Sequence, residues 1–158
     1  MPITQDEFRA ALSRFPSGVT VVTTKDRDGM LHGMTVSAFC SVSLDPPMVL
    51  VCIEKTTSSH SALSDSGVFV VNILSEHQRD LSEHFASQLT HKFSDVDYKT
   101  GIVGLPVLND IAASLECRVE KAYEGGDHTI FLGAVEEVTV NDVRPLAYLH
   151  GDYRAIPH

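Results

Sequence analysis

The strongest constraint on the fold of this chain is a series of short apolar runs separated by turns. Residues 19–24, 48–53 and 68–74 have strand length and consist almost entirely of β-branched or aliphatic side chains. This composition favours strands, and the unbroken apolar run at 48–53 is typical of a strand buried on both faces. No helical segment of roughly 10–15 residues is visible between most of the predicted strands. We therefore predict a mainly β protein with a mostly antiparallel sheet, arranged as a barrel or a sandwich.

Turn signals connect further strands to this set. Residues 25–29 end in Asp-Gly, a pair that tolerates positive φ, so residues 30–42 are expected to return and pair with the first strand. Residues 115–123 alternate apolar and charged side chains, the pattern of a half-buried strand. The turn Gly125-Gly126-Asp127 follows, and residues 129–140 predict a long returning strand.

The first fifteen residues predict an amphipathic helix. Thr4 and Glu7 have the spacing of a capping box, and Phe8 and Leu12 recur at helical spacing. Pro16 then stops the helix.

The remaining segments predict shorter elements. Residues 56–66, rich in Ser and Thr, predict a turn and a short helix, and Ser75-x-x-Gln78 resembles a further helix start. Residues 94–110 contain glycines and a proline and are expected to form a loop, and residues 146–149 are expected to form a short last strand. Because the chain has 158 residues and no linker-like segment, we expect a single domain over residues 1–158.

Charge and cysteine content exclude several functional classes. The formal net charge is −9, and such a surface disfavours nucleic acids and anionic membranes. Cys40, Cys52 and Cys117 are odd in number and have no C-x-x-C spacing, which supports neither a disulfide framework nor a zinc site. We expect reduced thiols in a cytoplasmic protein, since neither a signal peptide nor a membrane span is visible.

Common catalytic motifs are also missing from the sequence. It contains no G-x-G-x-x-G, no phosphate-binding P-loop, no G-x-S-x-G nucleophile elbow and no H-E-x-x-H. None of the eight histidines, which include His158, stands at a tight ligand spacing from a second His or Cys. We therefore predict no metal site and expect surface or hydrogen-bonded histidines.

Four segments carry unusual chemistry, and each also has a plain structural explanation. Residues 35–41 place small hydroxyl side chains where a flat ligand could approach, but they could form an ordinary edge strand. Residues 54–60 combine a Lys with a helix start, which suits either an anion or a simple helix cap. Residues 84–93 offer a Lys that could supply a positive charge to a phosphate, but their two Phe could simply be core anchors. Residues 125–128 form a hairpin turn that could push a His into a cleft.

Taken together, the motifs resemble a known family, the flavin reductase-like proteins of the FMN-binding split β-barrel fold. The similarity extends from about Phe8 to Ile156. It is carried, in the order of the family, by these segments: residues 15–23, 33–39, 45–47, 55–60, 69–74 and 126–128. The resemblance implies a Greek-key, mostly antiparallel split barrel with a few short flanking helices.

The resemblance also implies roles for individual residues. The strand lining the flavin ring would comprise Thr35, Val36, Ser37, Ala38, Cys40 and Ser41. The ribityl chain and phosphate would be held at Glu54, Lys55, Ser58, Ser59 and His60, with Lys55 as the charge partner. The flavin tail would be enclosed by Phe85, Ala86, Lys92 and Phe93. The nicotinamide cofactor would meet Gly126, Asp127 and His128, with His128 as the catalytic residue, and Tyr153 would be a further contact.

The activity implied is hydride transfer from NADH or NADPH to FMN or FAD. The family also implies a homodimer and a flavin-dependent monooxygenase that receives the reduced flavin. Three alternatives remain: a non-catalytic flavin-binding protein, another split-barrel flavin oxidase such as one acting on pyridoxamine phosphate, and a barrel without a cofactor. The sequence does not distinguish FMN from FAD, or NADH from NADPH.

Overall fold

The computed structural model describes residues 2–157 and contains three short helices and twelve strands within that range. The helices are α1 (Gln5–Leu12), α2 (Ser58–Ser66) and α3 (Arg79–Ala86). The first six strands are β1 (Ser17–Gly18), β2 (Thr20–Lys25), β3 (Leu31–Val36), β4 (Phe39–Ser43), β5 (Met48–Glu54) and β6 (Val68–Ile73). The others are β7 (Tyr98–Thr100), β8 (Pro106–Leu108), β9 (Ala113–Gly125), β10 (His128–Val140), β11 (Leu146–Leu149) and β12 (Asp152–Ala155).

Seven strands form one antiparallel sheet in the order β3-β2-β6-β9-β10-β5-β4. Its two edge strands, β3 and β4, are consecutive in the chain and are joined by Ser37 and Ala38 alone. Three peptide steps span at most about 11 Å, so both edges must lie near each other. The sheet therefore curls into a barrel that is left unpaired at this seam. The mainly β, antiparallel architecture expected from the sequence is confirmed.

Two apolar cores lie on opposite faces of this sheet. One fills the barrel and draws side chains from β2, β3, β5, β6, β9 and β10, with Leu63 of α2 joining them. The other lies outside, where the opposite faces of β2 and β6 are covered by α3, by β8 and by the loops around them. The expected burial of β6 is confirmed, because five of its six residues are buried.

The prediction that residues 48–53 are buried on both faces is wrong. In β5, Val49, Val51 and Ile53 are buried, whereas Leu50 and Cys52 on the other face are only half-buried. The second core ends at β6, so the outer face of β5 has no covering layer among residues 2–157. An unbroken apolar run signals burial, but it cannot say which face another element will cover.

Of two further expectations about the strands, one is confirmed only for its first half and the other is wrong. Residues 30–42 do not form one strand: β3 pairs with β2, whereas β4 crosses the seam and pairs with β5. Residues 94–110 are more than a loop, because they contain the small hairpin β7–β8 that covers the outer core.

Local predictions were more successful. The capping box of Thr4 and Glu7 is present, α2 begins after the cap residue Thr57, and the β9–β10 hairpin turns at Gly126-Asp127 with Gly126 at φ 73°. The helix predicted from Ser75-x-x-Gln78 exists as α3, although it begins at Arg79. Of the helices in the described part of the chain, none is both long and apolar enough to cross a membrane.

Candidate functional site

A large cleft opens where the barrel seam meets the N-terminal helix. Its volume is about 1000 Å³. Ser37, Ala38 and Cys40 form part of one wall, and the exposed faces of Leu50 and Cys52 lie beside them. The opposite wall comes from α1 and the turns that follow it, together with residues 148–151. Its size lies at the upper end of the range of small-molecule pockets.

The seam itself gives the cleft a wall of small side chains. The Cys52 amide donates to the Ala38 carbonyl at 3.0 Å, which holds the seam against β5. Ser37, Ala38 and Cys40 are exposed, as is Ser41 beyond them. Small side chains allow a planar group to approach the backbone, and hydroxyls can bond its polar edge, so these residues fit a flavin ring. Val36 differs, because its side chain is buried in the barrel core and leaves only its backbone for a ligand.

A second group of predicted residues meets at the end of the β9–β10 hairpin. His128 lies opposite Glu54 in the ladder, and the Lys55 amide donates to the Asp127 carbonyl at 2.9 Å. The Lys55 ammonium forms an ion pair with Glu124. His128 Nδ1 lies 2.7 Å from Asp127 Oδ1, and this hydrogen bond lowers the pKa of the Asp127 carboxyl. We call Glu54, Lys55, Glu124, Asp127 and His128 the hairpin-end cluster.

The start of α2 lies next to this cluster. The Thr57 side chain accepts the His60 amide, while Ser58 is exposed and Ser59 is buried. The His60 ring turns towards β10, with Nε2 2.8 Å from Thr129 Oγ1 and its centroid 5.6 Å from that of Phe131. Exposed amides and a hydroxyl at a helix N-terminus beside a Lys form a donor set that suits a phosphate.

The third predicted group surrounds α3. The half-buried Lys92 ammonium donates to the carbonyls of Gly33 at 3.2 Å and Phe85 at 3.0 Å, and burial lowers its pKa. The Phe85 and Phe93 rings pack together at 5.2 Å. Phe85 is 1% exposed, so its ring serves the core. Lys92 thus binds β3 to α3, and Ala86 is exposed at the end of the helix.

Tyr153 reaches the same region through a hydrogen-bonded chain. Thr35 donates to the Ser82 carbonyl at 2.6 Å, and the Ser82 hydroxyl lies 2.8 Å from the Tyr153 hydroxyl. The Arg79 guanidinium lies 5.2 Å from the centroid of the Tyr153 ring. Thr35 is therefore hydrogen-bonded to α3, and Ala38 is hydrogen-bonded to β5, the strand that leads to the hairpin-end cluster. Residues 35–38 thus connect the residues around α3 with that cluster.

Sequence reasoning missed several of these partners. Glu124 belongs to the polar half of an alternating strand, and no sequence motif marks Ser82. The only sequence feature that could have marked Glu124 as part of the site is its position, a charged residue directly before the glycine turn. Conversely, among residues 2–157 the lining of the cleft includes neither Lys55 nor Phe85, so the predicted residues do not all face one cavity.

Within residues 2–157, no three His, Cys, Asp or Glu side chains are grouped so that they could hold a metal ion. His158, one of the eight histidines considered above, lies outside the described residues.

Known proteins resemble this chain in both sequence and structure. A family model described as flavin reductase like domain matches residues 12–157. A protein of Rhizobium meliloti named as a probable flavin reductase is 40% identical over 146 residues, which cover 92% of this chain and 47% of that protein. HsaB of Mycobacterium tuberculosis, the reductase subunit of a flavin-dependent monooxygenase, is 39% identical, with coverage of 94% and 81%.

A solved structure gives the same result. The NADH:FAD oxidoreductase SgcE6 of Streptomyces globisporus superposes with a TM-score of 0.94 at 36% identity, covering all of this chain and 96% of SgcE6. SgcE6 has also been solved in complex with NAD and FAD fragments. The split-barrel fold and the resemblance inferred from the motifs are therefore confirmed, and this chain belongs to the flavin reductase-like domain family.

Proposed function

We propose that this chain is an NAD(P)H-dependent flavin reductase that acts on FMN or FAD. The observation that carries this function is the seam at Ser37 and Ala38, whose exposed, small side chains border a cleft large enough for a ring system. Membership of the flavin reductase-like family supports the activity, as do the relatives named as reductases.

When bound, the two cofactors supply the hydride chemistry, and the chain's own residues bind and orient them. Ser37, Ala38 and Cys40 would seat the flavin ring, with Ser41 beside them. Lys55 and the exposed start of α2 at Ser58 would hold the phosphate, and His128 would orient the nicotinamide from the hairpin end. Such a division of labour needs no protein nucleophile, which agrees with the absence of a hydrolase motif in the sequence.

We further propose a homodimer that passes reduced flavin to a monooxygenase partner. The monooxygenase reductase HsaB supports the partner. The exposed apolar side chains of α1 and the following turn, Phe8, Leu12 and Phe15, support a subunit interface, since a monomer rarely leaves such a group of side chains in water.

The test is steady-state oxidation of NADH and NADPH by the purified chain with FMN, FAD and riboflavin in turn. We expect turnover with at least one flavin, and anaerobic bleaching of that flavin on adding the nicotinamide. A chain that binds flavin but never bleaches it would instead be a flavin-binding protein.

His128 is tested in the same assay. We expect His128→Ala to lower kcat/KM for the nicotinamide cofactor by about 10-fold or more while flavin affinity changes little. His77→Ala is the matched control, because the His77 side chain is 87% exposed and its ion pair joins only the neighbouring Glu76. A wild-type kcat/KM in His128→Ala would remove His128 from the reaction.

A further inference from the structure

The Lys55–Glu124 ion pair joins two parts of the proposed site. Lys55 follows β5, on the side of the proposed phosphate contacts, whereas Glu124 lies near the end of β9, directly before the turn that carries Asp127 and His128. The Lys55 amide is also bonded to the Asp127 carbonyl at 2.9 Å, so both the backbone and the side chain of Lys55 contact the hairpin.

The ammonium of Lys55 is therefore already engaged by a carboxylate. The hydrogen bond with Lys55 lowers the pKa of Glu124, so Glu124 remains ionised at neutral pH. Asp127 competes less well than Glu124 for the Lys55 ammonium, because the Asp127 carboxyl is hydrogen-bonded to the His128 ring at 2.7 Å. Any phosphate that uses Lys55 must approach an ammonium whose charge is shared with Glu124.

This arrangement has a clear electrostatic consequence. A phosphate monoester carries about −1.5 to −2 charges at pH 7 and is repelled by a neighbouring carboxylate. The Lys55 side chain is 36% exposed and that of Glu124 is 83% exposed, so the pair is weak enough to exchange partners. Resting on the proposed function, we infer that Glu124 competes with the flavin phosphate for Lys55 and thereby keeps the flavin exchangeable.

Such a role suits a reductase whose reduced flavin must leave for a second protein. Glu124 acts here through Lys55 and is a positioning residue rather than a catalytic one. Its influence should be confined to ligands that carry a phosphate, a distinction that a purely structural role would not produce.

The experiment compares FMN with riboflavin, which has the same ring but no phosphate, in binding titrations at low ionic strength. We expect Glu124→Gln to lower the Kd for FMN about 2- to 5-fold and to leave the Kd for riboflavin unchanged. The matched control is Glu120→Gln, which removes the same charge from an exposed residue of β9 that has no ion-pair partner within residues 2–157.

A double-mutant cycle with Lys55→Met completes the test. In the Lys55→Met background, adding Glu124→Gln should leave the FMN Kd unchanged. The inference would be overturned if Glu124→Gln lowered the FMN Kd as much in the Lys55→Met background as in the wild type, or if it lowered the riboflavin Kd equally. It would also be overturned if Glu120→Gln lowered the FMN Kd equally, or if Glu124→Gln raised the FMN Kd. Failure of the wild-type chain to bind any flavin would overturn the proposed function as well, so the two failures are distinguishable.

Discussion

Cys117 shows how strongly one residue is governed by its surroundings. It is the only one of the three cysteines in the sequence that is fully buried, and it lies in the barrel core between β-strands. Burial, together with the nearby charges of Glu136 and Glu116, raises the pKa of its thiol to about 12. Cys40, by contrast, is exposed at the cleft. The two thiols therefore differ in reactivity because of their surroundings, although they are the same type of residue.

The raised pKa of Cys117 predicts a loss of stability in alkali. The unfolded thiol ionises near pH 9, whereas the folded thiol remains protonated up to about pH 12. A group whose pKa is raised on folding stabilises the protein below its unfolded pKa, and this contribution is lost as pH rises towards the folded pKa. Between pH 9 and 12, the free energy of unfolding should fall by up to about 1.4 kcal/mol per pH unit from this group.

Urea unfolding at a series of pH values measures this slope. Cys117→Ala should have a lower free energy of unfolding than the wild type at pH 7. Between pH 9 and 12, however, its free energy of unfolding should fall less steeply with pH, because the contribution of Cys117 is gone. Identical slopes in both proteins would show that Cys117 is not the group responsible.

At the level of elements, the contact between β3 and α3 depends on a glycine. The Phe85 and Phe93 rings lie directly over Gly33, where a Cβ atom would be 2.7 Å from the Phe85 ring. The Lys92 ammonium bonds the Gly33 carbonyl from the same side. The strand and the helix therefore pack more closely here than any side chain would allow, and this packing places Thr35 within reach of Ser82.

Substituting Gly33 by Ala should force these two elements apart. We expect Gly33→Ala to lower the free energy of unfolding by about 1–3 kcal/mol, as overpacking in a dense core does. Gly18→Ala is the matched control, because a Cβ at Gly18 would meet nothing within 4 Å and its φ is not positive. Chemical denaturation of both variants measures the difference, and equal stabilities would contradict the close contact.

At the scale of the whole molecule, α1 stands out because every one of its residues is exposed. An isolated helix of eight residues is unstable in water, so α1 needs packing partners beyond its own capping box. Phe15, which follows α1 and lines the cleft, is 78% exposed. A second copy of the chain would bury this surface, in agreement with the proposed homodimer.

The oligomeric state tests this proposal. Sedimentation equilibrium should give twice the chain mass of 17.2 kDa, and Phe15→Glu should shift the population towards the monomer. Val140→Glu is the control, since Val140 is 77% exposed and is absent from the residues that line the cleft. A wild-type protein that sediments as a monomer would remove the dimer from the proposed function.

The features that depend on neighbours along the chain could be predicted from the sequence. The capping box at Thr4, the glycine turn at Gly126 and the strand character of β2, β6 and β9 follow from local sterics and from side-chain alternation, and all of these were predictable. The family motifs likewise identified the fold, because their order in the chain carries that information, and the site roles that they imply remain predictions.

Which of these segments meet depends instead on long-range pairing in the folded chain. Pairing partners lie far apart in the chain, so no local signal could divide residues 30–42 between β2 and β5, or show that Leu50 and Cys52 face a cleft. The same is true of Glu124, which reaches Lys55 only because the β9–β10 hairpin lies beside β5. Barrel closure brings such distant residues together, and for that reason Ser37 and Ala38, whose segment could equally have formed an ordinary edge strand, lie at the centre of the candidate site.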